Sequence, residues 1–430
     1  MEAQKNGPQG RPDDNPVDDA VWRQYEAYPY PARDPRDEAK RLHISRLSSL
    51  PDVNHYLFRG RRDFGAPFRA LVAGGGTGDA TVMMAQQLAD RGGRGEVVHL
   101  DLSAASRRVA EARAEARGLT NIRFVTGSLL DLPELELGQF DYIDCCGVLH
   151  HLESPEAGLR ALAGALAPGG GLGLMVYGAL GRTGLYPLQA VLRRLARGRP
   201  LEQQIPLARR LIETLPATNW FRRNPFLVDH KQGDAGLVDL CLHSRDRAYR
   251  IGAFVDLLSA ADLAPVAFIE PLRYEPETYL GDPVLIEKTR ILSVVERASL
   301  AEILAGNLKT HIVYAAPQAD AAKRVAQPDR EDAVPLLSAV NSRALIQSMG
   351  SDFSVTPSVE GVTLRFVLPP LTSEIFAKVD GRATLGEIHR ALRTAHPSLD
   401  WPAFKAQFDR LYKVLNGLNA MLIAYPKSRD

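Results

Sequence analysis

The chain has 430 residues, 45% of them hydrophobic and 24% charged, with a formal net charge of +1 at pH 7. That length accommodates two or three domains with their own cores, and the composition excludes a wholly disordered polymer. Near-neutral charge without a long basic stripe removes the electrostatic footprint of a nucleic-acid binder. Three cysteines, Cys145, Cys146 and Cys241, supply neither a disulfide framework nor a zinc pattern.

In chain order, residues 1–20 are polar, rich in Pro, Gly, Asn and Asp, and are expected to be mobile, with no apolar signal core. Trp22, Tyr25, Tyr28 and Tyr30 then arrive together, ending in Tyr28-Pro-Tyr-Pro31, so residues 1–38 read as a mobile N-terminal segment with an aromatic lid. From 39 to 180 strands and helices alternate as a doubly wound sheet requires. Residues 71–73 form a first strand, residues 80–90 a first crossover helix, and a second helix runs from about Ser103 to Gly118. Pro168-Gly-Gly-Gly171 turns the chain into a fifth strand, 172–177. Residues 181–262 break the alternation with basic helical stretches and read as an inserted helical cap on the acceptor side. The sheet resumes within 263–316, at 265–269 and 311–316. Residues 317–333 lack an apolar period and read as a linker, and 334–430 as a separate α+β unit. In that unit Thr384 followed by Glu387 is a capping box.

The chemistry is concentrated at residues 70–78, Ala-Leu-Val-Ala-Gly-Gly-Gly-Thr-Gly, where an apolar strand enters Gly74, Gly75, Gly76 and Gly78. Glycine here lets the backbone turn sharply and approach a ligand closely. A dinucleotide fingerprint starting at Gly74 would need glycine at 79, where Asp79 stands beside the helix N-terminus that should receive pyrophosphate. A phosphate-binding P-loop is excluded because no Gly-Lys-Ser/Thr follows. S-adenosylmethionine carries no phosphate, and its sulfonium and ammonium groups tolerate a nearby carboxylate. Asp101 ends the next apolar run, Val97-Val-His-Leu-Asp101, where a carboxylate can accept both ribose hydroxyls.

Four segments in order carry a family resemblance: Leu71 to Gly78, Val97 to Asp101, Asn121-Ile-Arg-Phe-Val-Thr-Gly-Ser128, and Phe140-Asp-Tyr-Ile-Asp-Cys-Cys-Gly-Val-Leu-His-His151. Over residues 66–180 and 262–316 the chain resembles the class I S-adenosylmethionine-dependent methyltransferases. The resemblance implies an α/β fold, a seven-stranded Rossmann-like sheet, S-adenosylmethionine as cofactor and S-adenosylhomocysteine as product. It places Ala73, the glycines, Asp101 and Leu102 against the cofactor, Ser128, Leu129 and Leu130 along the adenine, and Cys146 toward the methionine part, with Tyr25 and Tyr30 as a lid. Two departures stand out: Val72 where the family often has an acidic residue, and Ser128 where it often has Asp. Residues 334–430 resemble the small winged-helix domain of peptide-modifying enzymes, through Asp380-Gly381, Thr384 and Glu387-Ile388. That likeness implies recognition of a peptide, or a homodimer through this domain.

Methyl transfer chiefly requires alignment and exclusion of water, with a base near neutrality where the acceptor carries a proton. Candidates are His150 and His151 after the fourth strand, Tyr177, Arg182 and Tyr186 after the fifth, and Asp239 with His243, four residues apart in the cap. The last two are expected to share a helical face as a carboxylate-oriented imidazole, with no metal required. The expected protein is a cytoplasmic methyltransferase acting on an oxygen or nitrogen of a metabolite or peptide, with neither nucleic-acid nor membrane partners. The alternative is a noncatalytic cofactor-binding protein whose C-terminal domain carries partner recognition.

Overall fold

The computed structural model describes residues 16–92, 94–338, 344 and 347–426. Its centre is a seven-stranded sheet of β1 (Phe68–Ala73), β2 (Gly95–Asp101), β3 (Ile122–Thr126), β4 (Phe140–Cys146), β5 (Leu166–Tyr177), β6 (Leu263–Phe268) and β7 (Thr310–Pro317), in spatial order 3-2-1-4-5-7-6. Strands β1 to β5 run parallel, whereas β7 is antiparallel to both β5 and β6. The order reverses between β1 and β4, and an open α/β sheet binds its ligands at such a switch point, beyond the carboxyl ends of the strands.

Side chains on β1 alternate between two cores. Leu71 and Ala73 join one with Val98, Ile143, Leu159, Phe254 and Leu257, while Ala70 and Val72 join the other with Val97, Tyr142, Met84 and Tyr56. Both faces are covered, which is why the central strands read as near-continuous apolar runs. One cover is formed by α5 (Pro155–Gly164) and α10 (Ile251–Ser259), the other by α2 (Leu50–Leu57) and α3 (Asp79–Ala89). Helix α4 (Ala104–Ala116) starts at Ser103, whose hydroxyl accepts from the Ser106 N–H as an N-cap. Strand β5 begins at Leu166, ahead of the expected 172, because 166–171 already pairs with β4 through a register shift.

Several expectations need correction. From Pro16 the N-terminal segment is helical, as α1 (Pro16–Ala27), and is held against the core; residues 1–15 lie outside the described residues. In the cap, α6 (Leu185–Leu195), α7 (Leu201–Thr214) and residues 221–242 share a small core of their own, but α10 belongs to the main core through Phe254 and Leu258. Residues 317–333 are not a free tether: Ala321, Arg324, Ala326 and Ala333 are buried, and the Arg324 guanidinium donates to the carbonyls of Leu57 and Gly169. Alanine side chains fit the narrow space there without giving an apolar period.

Among the described C-terminal residues are helices at 372–378, 385–392 and 401–417, with short strand pairs and a ladder joining β8 (Val334–Leu337) to Met421–Ala424. The capping box at Thr384 and Glu387 makes both of its bonds. This unit lies on α2. Asn419 donates to Asp52 at 2.7 Å and accepts from the Tyr56 hydroxyl, and the Ile423 N–H donates to His55 Nδ1 at 2.9 Å.

Candidate active site

A cavity of about 470 Å³ opens at the carboxyl ends of β1, β2 and β4. The backbone dictates its floor. Gly74, Gly76 and Gly78 have φ of +72°, +52° and +95°, the left-handed region that glycine enters without strain. A Cβ at Gly74 would stand 2.3 Å from Val148 Cγ2, and one at Gly76 3.0 Å from the Tyr30 carbonyl. The close packing of this loop against its neighbours therefore depends on the absence of side chains at these positions.

Asp101 closes one end. Its carboxylate accepts the Gly76 N–H at 2.7 Å and the Ser103 N–H at 2.8 Å, tying the glycine loop to the start of α4. Burial nevertheless pushes its pKa up to about 6, against those two bonds. Gly75, Leu102, Ser128, Leu129 and Cys146 line the same cavity, together with Tyr25 and Tyr30 from the N-terminal segment. Three expected cofactor residues stand back from it. Ala73 and Gly78 do packing work, since a Cβ at Gly78 would strike Ala110, and Leu130 packs against the core beneath the sheet.

The lid is tied on by specific bonds. Glu26 accepts from the Ser103 hydroxyl and the Ala105 N–H, an acidic group at the N-terminus of α4. The Thr77 hydroxyl donates to the Pro31 carbonyl at 2.7 Å. Arg33 grips Asp79 with two bonds, and fully buried Arg113 reaches both Asp79, at 2.7 Å, and Glu38, at 2.6 Å. Asp79, the residue that argued against pyrophosphate, is thus neutralised by two guanidinium groups.

The other end of the cavity gathers residues far apart in sequence. His151, Tyr177 and Asp239 line it, joined by Met175, Thr310 and Ile312 from the sheet and Ile44, Ser45 and Arg46 at the lip. The Tyr25 hydroxyl donates to Asp239 Oδ1 at 3.0 Å and lies 3.1 Å from His243 Nε2. Asp239 and His243 are therefore joined through Tyr25, which corrects the expected direct pair. The reason is local: residues 238–242 form a single π-turn, and His243 follows it in extended backbone. His243 Nδ1 accepts the Arg245 N–H, so the neutral ring carries its proton on Nε2 and donates toward Tyr25. His151 has the opposite tautomer. Its Nδ1 faces the Arg245 carbonyl at 2.7 Å and must donate, leaving Nε2 as a lone pair without a protein partner.

Burial lowers the His151 pKa to about 4 and raises that of Asp239 to about 7, so at neutral pH the imidazole is uncharged. His151, Asp239 and His243 bring one ligand atom each within 4.8 Å of one another, a spacing a metal ion could span. The two imidazole rings are, however, stacked at 3.8 Å and 14°, so their in-plane lone pairs run side by side instead of converging on one point. This arrangement suits proton handling.

The remaining candidates stand behind this layer. The His150 ring lies 3.8 Å from the Tyr177 ring, tilted by 36°, and is not among the cavity-lining residues. The Arg182 guanidinium lies 3.5 Å from the Tyr177 ring centroid and pairs with Asp246 at 2.9 Å, with Tyr186 beside them. Arg182 is thus committed within the protein and not offered to an anionic acceptor. Sequence reasoning missed Asp144, a fully buried carboxylate on β4 that lines the cavity. Its signal was an acid at an inward position near the end of a buried strand. Arg46, Thr310 and Ile312 were also missed; they come from segments without a motif.

A methyltransferase domain family matches residues 71–172. An uncharacterized protein of Synechococcus sp., syc1184_c, is 31% identical over 296 residues, covering 67% of this chain and 69% of that protein. The tRNA 5-carboxymethoxyuridine methyltransferase of Escherichia coli is 36% identical over 115 residues, covering 26% of this chain and 41% of the relative. Among solved structures, PKMT2 from Rickettsia typhi shares the fold at a TM-score of 0.62 and 15% identity, over 88% of this chain and 76% of its own, and it has also been solved with AdoHcy. The glycine loop, the carboxylate on the second strand and these likenesses agree: the chain belongs to the class I S-adenosylmethionine-dependent methyltransferases and is an enzyme that uses S-adenosylmethionine.

Proposed function

We propose that the acceptor is a nitrogen, an amine on a metabolite or on a peptide, and that His151 Nε2 takes its proton. The observation that carries this reading is the free lone pair of His151 in a cavity end lined by Asp239, Tyr25 and Tyr177. A carboxylate and phenol oxygens favour an amine over an anionic acceptor. The single cationic side chain among the described lining residues, Arg46, is held by Glu270 at 2.6 Å.

The cofactor supplies a methyl group on sulfonium, and the acceptor lone pair displaces it in line while the sulfur keeps the carbon–sulfur electron pair. The residues of the chain align and deprotonate. Asp239, fixed by the Tyr25 and Tyr177 hydroxyls, orients the amine hydrogens. His151, neutral at physiological pH, receives one proton. Helix α1 and the Tyr30-Pro31 segment exclude water from above. Ile44, Met175 and Ile312 form an apolar throat through which an alkyl stem can enter.

Transfer of a tritiated methyl group from S-adenosylmethionine to a panel of alkylamines and lysine-containing peptides, beside matched alcohols and carboxylic acids, tests the reading. Label is expected in the amines. Label confined to alcohols or acids would overturn it.

A further inference from the structure

The family position that usually carries an acid, two residues before Gly74, is Val72. In the sheet Val72 on β1 is the register partner of Asp144 on the adjacent β4. Both side chains sit on the same face of the sheet, the one shared with Ala70 and Tyr142. The acid missing from one strand therefore stands on its neighbour. Asp144 has no accessible surface, yet it lines the cavity. One oxygen, Oδ2, accepts the Ser48 hydroxyl at 2.6 Å, which fixes the carboxylate plane. The other, Oδ1, has no hydrogen-bond partner in the protein. A buried carboxylate oxygen left without a partner is costly and calls for a donor from outside the chain.

The topology says which donor. The glycine loop leaves β1 between two carboxylates, Asp101 on β2 and Asp144 on β4, one on each flanking strand. A ligand laid across the end of β1 with its ribose on Asp101 extends its amino-acid part over β4. We infer that Asp144 Oδ1 receives the α-ammonium group of the cofactor. The inference concerns the cofactor alone and is independent of the acceptor. Burial, opposed by the Ser48 bond, holds the Asp144 pKa near 7 in the free protein, consistent with a site awaiting a cation.

Calorimetric binding to the full chain tests this with S-adenosylhomocysteine and its deamino analogue, which keeps every other group. Wild-type protein is expected to prefer S-adenosylhomocysteine by roughly 10- to 100-fold, the range of a charge-assisted hydrogen bond. Asp144→Asn is expected to erase that preference by weakening S-adenosylhomocysteine while holding affinity for the analogue. Adding Val72→Asp to it should restore part of the preference. Equal wild-type affinity for the two ligands, or an Asp144→Asn protein that weakens both by one factor, would overturn the assignment. Where Asp144→Asn shows no cooperative melt, the wild-type comparison alone decides.

Discussion

The Tyr25 hydroxyl sits between Asp239 Oδ1, at 3.0 Å, and His243 Nε2, at 3.1 Å, so a residue of the N-terminal helix completes a polar cluster whose other members lie more than 200 positions later in the chain. The same helix lines the cofactor cavity through Val21 and Tyr25. Helix α1 therefore contributes side chains to both ends of the cavity. Removing the hydroxyl with Tyr25→Phe should lower turnover by roughly 10- to 100-fold, the worth of a buried bond to a charged partner. Affinity for S-adenosylhomocysteine should fall only a few-fold. Stopped-flow binding beside steady-state turnover would show the split; equal losses in both would mean the bond serves closure alone.

Asp101→Ala is expected to abolish measurable binding of S-adenosylmethionine by calorimetry. The change removes the ribose partner and also frees the Gly76 and Ser103 N–H groups, so the loop loses its anchor along with the ligand contact. Retained affinity would place the cofactor elsewhere in the cavity.

Three carboxylates carry a stability cost that depends on pH. Burial raises Asp101 to about 6 and Asp144 and Asp239 to about 7, from an ordinary 3.8. The folded chain thus holds these protons longer than the unfolded chain, and stability falls as pH rises toward those values. Five buried histidines act in the opposite sense: His55, His99 and His151, lowered to about 4, 3 and 4 from 6.5, and His150 and His243, held well below 6.5 by burial. The two sets oppose each other up to about pH 7, so the term of a single carboxylate is isolated by comparing a variant with wild type above that pH. At pH 8 Asp239→Asn should melt higher than wild type, by roughly 1–4 °C, because an amide still accepts from Tyr25 without a buried charge. Scanning calorimetry checks the sign; a lower midpoint would mean that Asp239 is well solvated.

The C-terminal unit is expected to be structural for the catalytic core. His55 and Tyr56 on α2 are almost fully buried, and their polar atoms meet Ile423 and Asn419. A chain ending at Val325 would strand these groups and expose the Leu422 contact site in the second core. It should melt well below the full chain, by about 10 °C or more, since several buried polar bonds and a large apolar area go together. A truncated protein with an unchanged midpoint would show that the two parts fold independently.

The sheet and its glycine turn were legible because each rests on a local rule: period-two burial on half-covered strands, unbroken apolar runs in the centre, and positive φ at the turn. Asp144 was not, because its meaning depends on which residue of β1 lies beside it, and register is set by the whole sheet. The Tyr25 bridge was equally hidden. Spacing of four placed Asp239 and His243 on one ideal helix, but the π-turn at 238–242 changes the direction of His243, and the partner comes from another element. The segment at 317–333 misled for a related reason: burial there uses alanine methyls and one arginine whose carbonyl partners are remote in sequence.

Two histidines now have separable roles. His151 offers an unpartnered Nε2 inside the cavity, whereas His243 points its Nε2 proton at Tyr25. His151→Asn keeps a donor toward the Arg245 carbonyl but removes the base, and should lower kcat by roughly 100- to 10,000-fold with little change in S-adenosylhomocysteine affinity. His243→Ala removes the donor to Tyr25 and the ring stacked on His151, and its loss should be smaller, about 10-fold. A His151→Asn enzyme with wild-type turnover, beside a His243→Ala enzyme that has lost it, would transfer the proton acceptor's role to His243 and require the Tyr25 hydroxyl to pass the proton along.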